Sequence, residues 1–75
     1  MRTVRVRNEN RPGTLANLLA AIAGMSASVG TIELINETAH SVVRDITVYA
    51  DDAEHMDKVI EAMRANPGTR VIEVR

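Results

Sequence analysis

The chain has 75 residues, a length that predicts one domain over residues 1–75 with a thin core and much of its surface in water. Nine basic and ten acidic residues give a formal net charge of -1, which favours neither nucleic acid nor a membrane surface as a partner. The absence of cysteine excludes disulfides, thiolate metal ligands and a cysteine nucleophile.

The apolar segments are too short to span a membrane, because Asn17, Gly24 and Ser26 interrupt the longest of them. The chain does not open with a basic segment followed by an apolar one, as a secretory signal does. We therefore expect a cytoplasmic protein.

The chain begins with the pattern of a strand followed by a helix. Residues 3–7 alternate Val4 and Val6 with polar residues, which is typical of a strand with one buried face. A Pro-Gly turn precedes apolar residues at the i, i+3, i+4, i+7 spacing of an amphipathic helix, which we predict over about residues 12–25. Pro12 suits the first turn of that helix, because its missing N–H costs nothing there.

A second strand is predicted over residues 29–36, with Ile32 and Leu34 on one face. Val29 and Ile32 lie three residues apart rather than two or four. Both side chains can therefore face the core only if a bulge or twist lies near Gly30.

The second half repeats the order strand, helix, strand. A turn at residues 38–40 leads into a third strand over residues 42–50, and the last strand falls within residues 69–75. Between these strands, Asp51 with Glu54 three residues later resembles a capping box. The helix that follows has apolar residues at helical spacing, at Met56, Val59, Ile60 and Met63.

The order βαββαβ predicts an α+β fold of the ferredoxin-like kind. Its two crossovers must both be right-handed, which places both helices on one face of a four-stranded antiparallel sheet. The other face then carries a polar mixture: Arg5, Arg7, Glu33, Asp45, Thr47 and Tyr49.

This fold serves many functions, so function must be argued from sites. An RNA-recognition domain of this topology needs aromatic residues on its middle strands, and Tyr49 is the only aromatic residue. The two histidines, His40 and His55, have no ligand cluster nearby and are expected to be solvated. We expect no catalysis, no metal and no cofactor.

The most informative segment runs from Asn8 to Leu15, with the sequence Asn-Glu-Asn-Arg-Pro-Gly-Thr-Leu. It is explained structurally as a strand-to-helix turn, which its asparagines, proline and glycine favour. It is also suited to bind a ligand, because N–H groups at a helix N-terminus bind carboxylates and Gly13 leaves room for approach. Pattern alone favours the structural explanation, since such turns are common.

The chain resembles an ACT domain over its whole length. The resemblance rests on the first strand, the Arg-Pro-Gly turn, the apolar face of the first helix, Gly30 with Ile32, and the segment 43–48. It is closest to the N-terminal ACT domain of some bacterial malic enzymes, in which segments like 8–13 and 42–48 recur.

The resemblance implies a homodimer or higher homo-oligomer, with an amino acid, organic acid or similar metabolite bound between the turn of one copy and the second strand of the other. The implied ligand-binding residues are Asn8, Asn10, Gly13, Thr14 and Leu15 from the turn and Val29, Gly30, Thr31 and Ile32 from the strand. Gly30 then lets the backbone approach the ligand, which reverses the preference for the structural explanation.

The resemblance also implies allosteric control of a metabolic enzyme, such as a fused malic enzyme. A malic enzyme is several times longer, and nothing in this chain is suited to bind malate, a metal or a nicotinamide cofactor. The last strand ends at Arg75 without a tail, which favours excision from a longer chain over a stand-alone protein.

Two alternatives remain at this stage. A ligand-independent oligomerisation module would form the same dimer without a ligand, and a single-stranded RNA binder or enzyme is the third class.

Arg44 is unexplained, because the alternation of the third strand places its side chain on the core side together with Ile46 and Val48. It either reaches past the sheet edge to an acid or is turned outward by a local bulge.

Overall fold

The structure is a computed structural model that describes all residues, Met1–Arg75. Its elements follow the predicted order and are β1 (Arg2–Glu9), α1 (Thr14–Gly24), β2 (Ser28–Glu37), β3 (Ser41–Tyr49), α2 (Ala53–Ala65) and β4 (Thr69–Val74). The strands form one antiparallel sheet in the order β2-β3-β1-β4. Neither helix is long and apolar enough to cross a membrane.

The predicted α+β ferredoxin-like sandwich is confirmed, with the core between the sheet and the two helices. Helix α1 packs against β1, β2 and α2, whereas α2 also contacts β4. The core consists of aliphatic and methionine side chains: Val4, Val6, Leu18, Ile22, Ile46, Val48, Met56, Val59, Ile60 and Met63. Burial of these apolar surfaces is the main stabilising contribution to the fold.

Both helices begin later than predicted. Gly13 is the N-cap of α1, so Pro12 lies in the preceding turn and not in the first helical turn. The N-cap of α2 is Asp52, whose side chain accepts a hydrogen bond from the His55 N–H at 2.8 Å. The predicted cap, Asp51, was wrong by one residue, because adjacent aspartates offer the same capping chemistry.

Strand β2 contains the predicted bulge. Val29 pairs with Val48 and Ile32 with Ile46, so β2 advances three residues while β3 advances two. A second irregularity follows Leu34. Paired residues of antiparallel strands share a face, so Val29 and Ile32 both face the helix layer.

The expected burial of this face does not extend along β2. Ile32 is 40% exposed and Leu34 57% exposed. The reason is that β2 is an edge strand, and of its residues Val29 packs against the core whereas Ile32 and Leu34 lie farther along the strand.

Strand β4 places its two valines against the core. Val71 pairs with Val6 and Val74 with Val4, so both valines pack against the core. Ile72 is the extra residue between them and is about half exposed.

Arg44 follows neither of the two expectations. The pairing of β1 with β3 is continuous from Arg2 to Glu9, so no bulge turns Arg44 outward. It lies opposite Val6 and Leu34 on the helix side, half-buried and without an ion pair.

Candidate functional site

The turn between β1 and α1 is anchored to β4 by Asn8. This side chain is buried, and its Nδ2 donates to Thr69 Oγ1 at 2.7 Å and to the Gly68 carbonyl oxygen at 3.4 Å. Its Oδ1 is buried without a hydrogen-bond partner. Asn8 therefore fixes the point at which the turn leaves the sheet.

Asn10 ties the same turn to the turn between β2 and β3. Its backbone N–H donates to the His40 carbonyl oxygen at 3.0 Å, and its Nδ2 donates to the Thr38 carbonyl oxygen at 2.7 Å. The side-chain contact spans 28 residues, so no local sequence signal announces it. Asn10 thus has a structural role that sequence reasoning missed. Its Oδ1 remains free to accept a hydrogen bond.

Thr14 closes the turn from the helix side. Its buried hydroxyl donates a hydrogen bond that is shared between the Glu9 carbonyl oxygen, at 2.8 Å, and the Arg11 carbonyl oxygen, at 3.1 Å. These contacts tie the start of α1 to the end of β1 and to the turn between them.

Gly13 and the first turn of α1 leave a set of free backbone donors. Gly13 has a φ of 89°, the left-handed region that favours glycine, and an added Cβ would meet no atom within 4 Å. The N–H groups of Leu15 and Ala16 have no acceptor, and the first turn has neither a side-chain cap nor an acidic residue. Free donors and the positive end of the helix dipole favour an anion such as a carboxylate here.

The predicted residues on β2 line its exposed edge. Val29 packs partly against the core, whereas Thr31 and Ile32 are exposed. Gly30 lies beside the ring of Tyr49, so a Cβ at position 30 would be 2.6 Å from Tyr49 Cε2.

The two halves of the predicted site do not meet within one chain. Through β3, Val29 and Ile32 lie level with Arg2 and Val4 at the start of β1, whereas the turn follows the end of β1. Cavities of about 270 and 320 Å³ are present, and neither is lined by residues from both halves. A site containing all nine residues requires a second copy.

Residues 2–75 match the family model of the ACT domain. The chain belongs to the ACT domain family. The predicted resemblance is thereby confirmed, and the ACT domain is a regulatory, non-catalytic fold.

Curated relatives of this ACT domain include two bacterial malic enzymes. An NAD-dependent malic enzyme of Geobacillus stearothermophilus is 31% identical over 72 residues, which are 96% of this chain and 15% of that protein. NAD-dependent malic enzyme 1 of Bacillus subtilis (strain 168) is 28% identical over 65 residues, 87% of this chain and 15% of that protein. The ACT domain therefore spans only about 15% of the length of these relatives.

Solved structures share the fold. The ACT domain from GTP pyrophosphokinase of Chlorobium tepidum, as a crystal structure, superposes with a TM-score of 0.72 at 16% identity, over 99% of this chain and 92% of that one. An unknown protein from Galdieria sulphuraria gives a TM-score of 0.64 at 19% identity, over 99% and 42% of the two chains. At such identities the likeness shows the fold alone.

The open face of the ACT domain carries an ion-pair cluster away from the turn. Arg5 donates to both oxygens of Asp45 at 2.8 and 3.0 Å, and Arg75 donates to Oδ2. The hydrogen bond from Arg5, aided by that from Arg75, holds the pKa of Asp45 below its ordinary value against the opposing effect of burial. The open face is polar as predicted, and on it Asp45 is buried beneath the arginines.

His55 also differs from the sequence-based expectation. Its ring is mostly buried and joins the two helices: Nδ1 accepts from the Asp51 N–H at 3.0 Å, and Nε2 lies 2.6 Å from the Met25 carbonyl oxygen. A backbone N–H can only donate and a carbonyl oxygen only accept, so the proton of the neutral ring is on Nε2. The expectation that both histidines are solvated was wrong for His55, while His40 is exposed.

Proposed function

We propose that this ACT domain is a regulatory module that binds a small metabolite, an amino acid or an organic acid, between two copies of the chain. It acts as one unit over residues 1–75 and controls an attached or associated metabolic enzyme, for which the relatives point to an NAD-dependent malic enzyme. The observation that carries the proposal is the bare edge of β2, next to a turn with free backbone donors.

The β2 edge is suited to pair with a second copy. Nine of its ten residues are exposed, among them the apolar side chains of Ile32, Leu34 and Ile35. A long exposed strand with apolar side chains is a template for strand pairing. The opposite edge, β4, is shorter, with six residues.

The helix beside this edge points to the same interface. Helix α1, which packs on β2, has no charged residue along its 11 residues. Helix α2, on the β4 side, carries five: Glu54, Asp57, Lys58, Glu61 and Arg64. The helix on the β2 side is therefore uncharged and the helix on the β4 side is charged, and burial of the uncharged helix costs less desolvation.

Twofold pairing of two β2 strands brings the two halves of the predicted site together. A twofold axis makes the strands antiparallel, so the first half of the partner's β2 lies beside the second half of the first copy's β2. That second half is level with the end of β1, where the turn begins. Val29 to Ile32 of one copy then approach Asn8 to Leu15 of the other in an eight-stranded sheet.

The free donors define what the site binds. A ligand carboxylate accepts from the N–H groups of Leu15 and Ala16, with Gly13 leaving room for its approach. Asn10 Oδ1 accepts from an ammonium or hydroxyl group of the ligand, whereas Asn8 and Thr14 hold the turn in position.

The interface is tested by sedimentation velocity on matched charge variants at the two edges. Leu34→Lys places a charge on the β2 edge, and Ile72→Lys places the same charge on β4, at a side chain of similar exposure. We expect the parent and Ile72→Lys to be dimers and Leu34→Lys to be a monomer. A monomeric parent, or a dimeric Leu34→Lys, contradicts the β2 interface.

The ligand is tested by thermal shift over amino acids and organic acids. An effector at about a hundred times its Kd stabilises the native state by roughly 2.7 kcal/mol, or about ten degrees or more for a domain this small. Gly13→Asn, which fills the approach to the donors, should abolish the shift. A stable dimer that no such compound stabilises favours the second candidate, a ligand-independent oligomerisation module.

A further inference from the structure

A polar cavity of about 270 Å³ lies at the end of the sheet where β1 ends and β3 and β4 begin. Its lining includes Arg7, Arg70, His40 and Ser41 and contains no hydrophobic residue. We propose that this cavity binds a small doubly charged oxyanion, a phosphate group or a dicarboxylate. This second site shares Asn8 with the turn, but its charges come from Arg7 and Arg70, which are not part of the proposed effector site, and it does not depend on that site.

The charges of Arg7 and Arg70 carry the proposal. The two residues are direct partners in the pairing of β1 with β4, and neither forms an ion pair. Like charges directly opposite each other on neighbouring strands are destabilising. An anion between the two guanidinium groups removes this repulsion.

The other arginines of the open face and of the turn contrast with this pair. Arg5 and Arg75 share the carboxylate of Asp45, and Arg11 pairs with Glu9. On its other side, Arg7 pairs with Val43 of β3, which in turn pairs with Asn36 of β2. No acidic residue therefore lies opposite Arg7 in the sheet. On the open face, the unpaired positive charge is thus concentrated at the cavity, whereas Arg2 and Arg44, which also lack an ion pair, lie on the helix side.

The remaining lining suits an oxyanion. Guanidinium groups donate two parallel hydrogen bonds to carboxylate or phosphate oxygens. The Ser41 hydroxyl and the His40 ring add donors at the β3 side. Glu9 also lines the cavity, but its charge is offset by Arg11. The volume is below that of typical metabolite pockets, which favours a small ligand without an apolar part.

The test is an NMR titration of amide shifts with inorganic phosphate and, separately, with succinate, at constant ionic strength set with sodium chloride. We expect saturable shifts at Gly68 and His40. Arg7→Gln and Arg70→Gln should each weaken binding about tenfold or more, because each removes a charge-assisted hydrogen bond. Arg64→Gln, which removes the same charge on α2, should leave the affinity unchanged.

A second readout separates binding from a structural role. Without added anion, Arg70→Gln should melt at or above the parent temperature because it relieves repulsion, and with saturating phosphate or succinate the parent should be the more stable. Saturation with phosphate, succinate or both supports the site and identifies the anion class. Shifts that do not saturate with either anion, or equal weakening by Arg64→Gln, would overturn the proposal.

Discussion

Gly30 on β2 lies directly beside the ring of Tyr49 on β3, so that a Cβ at position 30 would be 2.6 Å from Cε2. The glycine therefore makes room for the one aromatic side chain of the protein. The neighbouring bulge and this close contact are two features of the same segment of the sheet edge.

A double-mutant cycle tests the Gly30 contact. Gly30→Ala should lower the free energy of unfolding by about 1 kcal/mol, because the methyl group pushes the half-exposed ring aside. In a Tyr49→Ala background the same substitution should cost nothing. Urea denaturation gives the free energy of unfolding of all four proteins. If Gly30→Ala lowers this free energy equally in both backgrounds, the contact with Tyr49 is contradicted.

The stability of the folded domain should require Gly13 for its backbone conformation, because a Cβ at this position would contact no other part of the chain. Its φ of 89° predicts that Gly13→Ala destabilises the domain by about 1 kcal/mol, although a Cβ there meets no neighbour. Gly13→Asn should be the milder change, since asparagine tolerates the left-handed region. Thermal unfolding ranks the two variants, and an alanine as stable as glycine contradicts the assignment.

His55 should contribute to stability through its two hydrogen bonds. His55→Ala removes a mostly buried ring and leaves the part-buried Met25 carbonyl oxygen and the exposed Asp51 N–H without their partner, so we expect a loss of about 1–3 kcal/mol. The control is His40→Ala at an exposed turn, which should change stability by less than about 0.5 kcal/mol. Similar unfolding free energies for the two variants would show that the bridge adds nothing.

Asp45 should make stability depend on acid pH. Its pKa is lower in the folded state than in the unfolded chain, so its contribution is complete above the unfolded value of about 3.9 and is lost as pH falls through the folded value. The stability difference between the parent and Asp45→Asn should therefore shrink as pH falls from about 5 to below about 3.

The control for the acid dependence is Asp57→Asn, which alters an exposed carboxylate on α2 that forms no ion pair. Chemical denaturation across this pH range should show little change in its difference from the parent. A pH-independent gap between the parent and Asp45→Asn rules out the ion-pair cluster as the source.

The sequence predicted those features that depend on local spacing. Alternating valines identified β1, and the three-residue step from Val29 to Ile32 predicted the bulge in β2. The segment Asn66-Pro67-Gly68 predicted the end of α2, and Gly68 has a positive φ.

Features that depend on distant contacts were not predictable in the same way. The period of β2 gives the face of Leu34 but not its exposure, which follows from the position of the strand at the sheet edge. The link from Asn10 to Thr38 and the bridge from His55 to Met25 join distant segments. For the candidate site, the sequence supplied the residues, whereas the structure shows that one chain keeps the two halves apart.

Mixing two binding-defective variants tests whether the effector site is shared between two copies. Gly13→Asn fills the turn, and Thr31→Glu places an exposed negative charge on β2 opposite a ligand carboxylate. Each variant alone, once sedimentation velocity has shown that it is a dimer, should be unable to bind an effector that the parent binds.

Calorimetric titration of that effector into an equimolar, equilibrated mixture of the two variants is the decisive measurement. A mixed dimer joins the intact turn of one copy to the intact β2 of the other, so the mixture should regain about a quarter of the parent's sites. If the site lies within a single chain, every chain in the mixture is defective and no binding is recovered. The absence of any recovered binding would therefore contradict an effector site shared between two copies.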